Sequence, residues 1–184
     1  LSSCNMVAGS GVIVDTEYEF EGFKSIEAGN ACDVTITHGA EYSIKVSCDD
    51  NVVNLLDVKM EGDNVHFYLA PFTSYNRVTY KAEITAPDVE IIKGADASKL
   101  VVSGFSRNDT LDIALSDASS ADISMITAAD VNAVISDASK CVFSADSMTG
   151  KLGLTCSDAS TADFRNAEAA DVDVRVSDAS EAWV

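Results

Sequence analysis

Five aspartates, Asp96, Asp117, Asp137, Asp158 and Asp178, recur at intervals of 21, 20, 21 and 20 residues. Each sits in a four-residue motif: Ala95-Asp96-Ala97-Ser98, then Ser-Asp-Ala-Ser at 116–119, 136–139, 157–160 and 177–180. Carboxylates stacked at a strand spacing of ~4.8 Å repel each neighbour by ~0.9 kcal/mol even at the dielectric of water. Hydrogen bonds from corner amides and the flanking serines would offset this, as would calcium ions bridging adjacent carboxylates. Calcium takes six to eight oxygens, and the motif lacks the glycine-rich geometry of calcium-binding solenoid repeats. The hydrogen-bonded corner is therefore the favoured reading. No metal site is assigned, and these five aspartates stand as the calcium candidates.

A second concentration of chemistry runs from His66 to Tyr80 and includes Phe67, Tyr68, Phe72, Tyr75 and Arg77 around Pro71. Rings beside such a loop could stack on sugars or anchor a protein partner, or they could simply cover a core. Tyr68, Phe72, Tyr75 and Arg77 are the ligand-binding candidates, with a glycan or a protein as the partner. Catalytic and cofactor-binding residues are assigned to none. His38 and His66 are isolated, and no nucleophile elbow, zinc signature or phosphate loop is present. Arg165 and Arg175 occur singly beside acidic columns, and Asp122 and Asp163 read as a solvated face. A carbohydrate-active enzyme, a polysaccharide lyase or hydrolase, is the alternative. It would need clustered acids with a positive partner on one wall.

The elements that must hold these residues follow from aligning the sequence on the aspartate. Two, four and six positions before it stand columns such as Leu115/Ile135/Cys156, Ile113/Ala133/Leu154 and Leu111/Val131/Leu152, separated by residues such as Asp112 and Asn132. That period of two predicts a strand with one buried face. Four and six positions after it stand Leu100/Ala121/Cys141 and Val102/Ile123/Phe143, which predicts a second strand beyond a sharp corner. Asp suits the corner because it caps nearby amides and tolerates left-handed dihedrals. The invariant alanine that follows is expected inside the bend, where space is short. The one-residue length variation falls between the second strand and the next first strand. Together these features predict an all-β fold, a right-handed parallel β-helix (β-solenoid) of about 20 to 21 residues per coil. A leucine-rich repeat is rejected because both arms alternate like strands. The first 90 residues are less regular, with strand patterns at 12–20, 32–37, 42–48, 64–69 and 77–86. One β-helix domain over 12–184 is expected, with irregular coils or a cap at 12–90 and regular coils at 91–184. Its strand pattern runs to Val184, where a closing segment would be expected.

A net charge of -18, from 30 acidic against 12 basic residues, sets the chain against nucleic acid as a partner. No run of 18 apolar residues exists to span a bilayer as a helix. Leu1-Ser2-Ser3-Cys4 resembles the lipobox of bacterial lipoproteins, in which a signal peptide is cut before an acylated cysteine. Cys4 is the lipidation candidate, and 5–11 reads as a flexible tether. The membrane is then a partner through the anchor alone, and the expected location is the bacterial outer membrane, at the cell surface or on its periplasmic face. The other cysteines, Cys32, Cys48, Cys141 and Cys156, occupy apolar strand positions and read as buried thiols. If 32–37 and 42–48 form a hairpin around Gly39, Cys32 and Cys48 share a face and are the one disulfide worth testing. Oligomeric state is open.

Three segments carry a family likeness: Phe23-Lys24-Ser25-Ile26, Cys32-Asp33-Val34-Thr35-Ile36 followed by Gly39, and Ile84-Thr85-Ala86-Pro87-Asp88-Val89 leading into small-residue corners. From Gly11 onward the chain resembles the putative auto-transporter adhesin, head GIN domain family, found in bacterial lipoproteins and especially in Bacteroidetes. The resemblance implies a right-handed parallel β-helix and a surface or adhesin-like role, and with the absence of catalytic motifs the expected function is a non-catalytic, lipid-anchored cell-envelope protein with an adhesin-like binding or scaffold role. It supplies no catalytic residues.

Overall fold

The structure, a computed structural model, describes residues 5–148 and 150–184. Regular structure among the described residues is β, apart from a single 3-10 turn at Val53–Leu55. The chain forms β1 (Asn5–Ala8), β2 (Ile13–Tyr18), β3 (Ser25–Ala28), β4 (Asp33–His38), β5 (Ser43–Asp49), β6 (Leu56–Glu61), β7 (Asn64–Leu69), β8 (Thr73–Asn76) and β9 (Tyr80–Ala86). Strands then come in pairs about each aspartate. These are β10 (Ile91–Gly94) and β11 (Lys99–Ser103), β12 (Leu111–Leu115) and β13 (Ser120–Ala128), β14 (Val131–Ile135) and β15 (Lys140–Met148), β16 (Lys151–Cys156) and β17 (Thr161–Asn166), and β18 (Asp171–Val176) and β19 (Glu181–Trp183).

The first strand of each pair joins an eight-stranded sheet, β18-β16-β14-β12-β10-β3-β7-β6, and the second a nine-stranded sheet, β19-β17-β15-β13-β11-β4-β9-β5-β2. Both sheets are mixed, and neither closes into a barrel. Their inner faces share one hydrophobic core. Equivalent residues stack in parallel register: Ile26, Ile92, Ile113, Ala133, Leu154 and Val174 are successive partners in one sheet. Ile36, Val102, Ile123 and Phe143 are successive partners in the other. A one-residue slip would turn every such side chain to solvent, at ~1.5–3 kcal/mol for each large apolar residue, so burial fixes the register.

At the N-terminal end, β7 and β9 extend the parallel array beyond β3 and β4. Antiparallel β6 then closes one sheet, and β5 with β2 closes the other. This corrects the hairpin expected between 32–37 and 42–48, because β9 lies between β4 and β5. The two strands alternate identically on their apolar faces, so local pattern could not reveal an insertion between them. Cys32 and Cys48 consequently lie on either side of Tyr80, two strand spacings or ~9.6 Å apart, beyond the Cα range of a disulfide. All four described cysteines are free and buried. Burial raises their thiols above the ordinary range, that of Cys141 up to about 12.

Residues expected to form a flexible tether instead carry β1, which pairs in parallel with β8. A buried carboxylate holds them there. Asp49 is 1% exposed and accepts hydrogen bonds from the Thr79 and Gly11 amides, both at 2.6 Å. A Cβ on Gly9 would lie 2.7 Å from the same carboxylate, so glycine is needed for the chain to pass. Those amides, Thr79 first, hold the Asp49 carboxyl below its usual value.

The corners differ from expectation in which residue faces inward. Asp and Ala both adopt left-handed backbone at every corner, with φ of 49° and 60° at Asp96-Ala97 and 56° and 59° at Asp137-Ala138. Ser98, Ser119 and Ser139 each donate their amide to the carbonyl three residues earlier, the pattern of a tight turn with both central φ values positive. The alanines are exposed, and it is Ser98, Ser119, Ser139 and Ser160 that are buried, at 0–1% exposure. Alanine is tolerated because its single methyl limits the clash that left-handed backbone imposes on an L-residue. A further corner, Gly29-Asn30-Ala31-Cys32, has φ of 53° and 56° at its centre, with Cys32 in the serine position.

Two predictions follow from these positions. Ala138→Gly should leave the melting temperature unchanged or higher, and Ala138→Val should cost ~1–2 kcal/mol by denaturant titration; a corner packed inside the bend would lose stability in both. Asp49→Asn should lower the urea midpoint at pH 7. Because the folded-state pKa is depressed, the wild-type advantage is complete above the unfolded value of ~3.9 and fades as pH falls through the folded value. The two midpoints should therefore converge in acid.

Candidate binding surface

Outward-facing side chains of the eight-stranded sheet form a continuous file. Lys59, His66, Glu27, Lys93, Ala114, Val134, Thr155 and Arg175 are successive register partners. Its ends are charged or ionisable, and its middle is small and uncharged. Where the two regimes meet, a depression of about 210 Å³ lies between Tyr68, Glu27 and Lys93 on one side and Ser116 and Ser136 on the other. A second depression, of about 300 Å³, continues along the same face toward Lys151, Asp173 and Arg175, and Val134 lines both.

Tyr68 sits at the end of β7, where alternation turns it outward across the Gly29 corner. A Cβ on Gly29 would lie 2.2 Å from its ring, so the glycine is what lets the ring lie there. The phenol donates to Glu27 Oε1 at 2.7 Å, and the Tyr68 carbonyl accepts the Tyr80 hydroxyl at 3.2 Å. Burial first, and the Glu27 bond second, raise the Tyr68 hydroxyl above its ordinary value, so it is a fixed neutral donor. Lys93 Nζ stands 3.9 Å from the other Glu27 oxygen. A half-buried ring is thus immobilised beside a carboxylate, an ammonium and the hydroxyls of Ser116 and Ser136.

The other binding candidates do not line this depression. Phe72 is 95% exposed with φ of 62°, and Arg77 is exposed with φ of 52°. Tyr75 lies in β8 and donates its hydroxyl to the Ala70 carbonyl of its own loop at 2.8 Å. The aromatic stretch therefore splits: Tyr68 goes to the sheet face, Phe67 and Tyr80 go to the core, and Tyr75 lies on β8 with Phe72 and Arg77 just outside its ends. Glu27 and Lys93 were not singled out in the sequence, and Ser116 and Ser136 were read there only as partners of the corner aspartates. Outward alternation in β7 and the serine before Asp117 and Asp137 were the available signals, but β3 had no recognised strand pattern.

The corner aspartates are solvent-facing. Ser116 and Ser136 donate their hydroxyls to Asp117 and Asp137 at 2.8 and 2.7 Å, whereas the corner amides go to the aspartate main-chain carbonyls. Among the described residues no group of three or more His, Cys, Asp or Glu side chains comes together as a metal site. Arg165 forks onto Asp163 at 3.0 and 2.6 Å and holds that carboxyl down to about 2, and Arg175 reaches Asp173 at 3.3 Å. Cys4, the lipidation candidate, lies outside the described residues.

Several solved structures share the fold. A putative adhesin from Bacteroides fragilis is 12% identical with a TM-score of 0.60, over 96% of this chain and 98% of that one. A putative adhesin from Parabacteroides distasonis is 11% identical at 0.53, over 98% and 100%. A protein of the same organism described as a putative lipid binding protein is 12% identical at 0.52, over the same shares. No curated protein matches the sequence. Residues 22–184 match the domain whose segments were recognised above, and the chain belongs to the putative auto-transporter adhesin, head GIN domain family.

Proposed function

We propose that residues 12–184 form one right-handed parallel β-helix of about 20 to 21 residues per coil, with 12–90 as irregular coils and cap. Alternation of the chain between two sheets, each return pairing in parallel with the strand before, supports this reading. Parallel crossovers within a sheet are right-handed in ~98% of cases.

On that scaffold the protein acts as a non-catalytic, exported cell-envelope protein, lipid-anchored to the outer membrane through Cys4, that binds ligand on the outer face of its eight-stranded sheet. One observation carries the binding role: the Tyr68 ring is locked by Gly29 and Glu27 at the rim of a shallow depression. A rigid ring costs little entropy to present and suits stacking on a sugar, while Glu27, Lys93 and the corner serines supply hydrogen bonds. At about 210 Å³ the depression is smaller than the ~300–1,000 Å³ of an enclosing small-molecule cleft, so it fits one moiety of a larger glycan. Charge pairing argues against Asp163 as the proton donor of the enzyme alternative, since Arg165 on its own strand holds that carboxyl ionised.

Screening the purified protein on a glycan array, with uronate release assayed in parallel, tests this reading. Binding without turnover is expected. Tyr68→Ala should weaken it at least ~10-fold, the scale of a lost stacking contact of ~1–3 kcal/mol as measured for bases on aromatic side chains. Tyr68→Phe, which keeps the ring but frees it from Glu27, should bind more weakly than the wild type and more tightly than Tyr68→Ala. Turnover abolished by removing one carboxylate would establish the enzyme instead, and retention of a protein ligand with no glycan bound would overturn the sugar assignment.

A further inference from the structure

The two ends of the sheets are finished differently. At the N-terminal end antiparallel β2 and β6 lie outermost, and β2 carries Asp15 and Glu17 on its outward positions, charges that discourage edge pairing. At the opposite end β18 pairs only with β16, and β19 only with β17, among the described residues. Both therefore present an unpaired row of backbone donors and acceptors. The core is open there too. Leu152 and Cys156 of β16 are 1% and 0% exposed, whereas Val172 and Val176, their partners in β18, are 46% and 47% exposed.

We propose that this end docks against the same end of a second copy of the chain, β18 pairing antiparallel with β18 about a two-fold axis perpendicular to the sheet. The sequence of β18, Asp171-Val172-Asp173-Val174-Arg175-Val176, is complementary to itself in one register. With Val174 opposite its own copy, Val172 meets Val176 and Asp173 meets Arg175, each twice. The valines face inward and join the two cores, and the charged pairs lie outward, where directly opposed unlike charges favour the pairing and like charges oppose it. Arg175 already leans 3.3 Å from Asp173 of its own strand, so it is positioned to bridge both carboxylates. A slip of one residue would set Asp173 against Val174 and lose both ion pairs. The contact is isologous, so it stops at two copies.

Sedimentation of the purified chain over a range of concentrations tests the register as well as the association. A concentration-dependent doubling of mass is expected. Arg175→Asp alone, or Asp173→Arg alone, places like charges opposite each other and should leave a monomer with an unchanged circular dichroism spectrum. The double substitution Asp173→Arg with Arg175→Asp restores both pairs and should restore the dimer. A wild-type mass of one chain at every concentration would overturn the proposal and assign this end to another occupant, a further segment of the protein or a different partner. Dimerisation unaffected by the single substitutions would overturn it equally.

Discussion

Left-handed backbone at two successive residues is a conformation that an Asp-Ala pair does not adopt on its own, at about 1 kcal/mol or more for an alanine. Here it is repeated at Asn30-Ala31 and at every corner from Asp96-Ala97 to Asp178-Ala179. The compensation is cooperative. Each corner alanine donates its amide to the carbonyl of the corner Asp in the next level at 2.8–2.9 Å, beginning with Ala31 to Asp96 and ending with Ala159 to Asp178. A hydrogen-bonded ladder therefore runs through the bends as well as along the strands. A corner in isolation would be strained, but in the stack each one satisfies a backbone group of its neighbour that would otherwise need water.

That ladder dictates which side chains the motif can carry. With Asp and Ala both lifted outward by positive φ, the next residue is the one turned into the core, and its polar atom must be satisfied there. Serine meets the requirement. Ser98 and Ser119 donate to the carbonyls of Ala28 and Gly94 one level back, and Ser160 and Ser180 accept amides of Ser139 and Ser160. Cys32 fills the same place where the file meets the Tyr80 side of the core, and there burial first, with the Asp33 charge second, keeps the thiol protonated. The outward aspartates remain in water, where their mutual repulsion is small and the preceding serine hydroxyls partly neutralise it.

Much of this was legible because burial imposes period two and the levels are nearly equal in length. The apolar columns at 111–115, 131–135 and 152–156 are strands in mutual register, and the 64–69 pattern coincides with β7. What was not legible depends on contacts remote in sequence. Ile26, Ala28, Val34 and Ile36 stand at the same offsets from Asn30 as Ile92, Gly94, Leu100 and Val102 do from Asp96. That corner escaped notice because β5 to β9 are inserted after it and asparagine replaces aspartate. The inserted β9 likewise broke the expected hairpin. Ala and Ser could not be sorted into outside and inside from composition, since both are small; only the sign of φ separates them.

Tyr68 shows why the candidate site could not be read from either half of the sequence alone. Its position comes from the irregular part, through β7 pairing with β3, and the floor beside it comes from the regular part, through Ala114, Ser116 and Ser136. The two are joined by the Asn30 corner, where the Asn30 side chain accepts the Leu69 amide at 2.9 Å and so ends β7 beside the bend. An aspartate there could also accept that amide, but it would add a carboxylate next to Glu27 and Asp96. Asparagine gives the same hydrogen bond without the charge, so the one departure from aspartate in the corner file falls at the corner whose glycine lies against the ring.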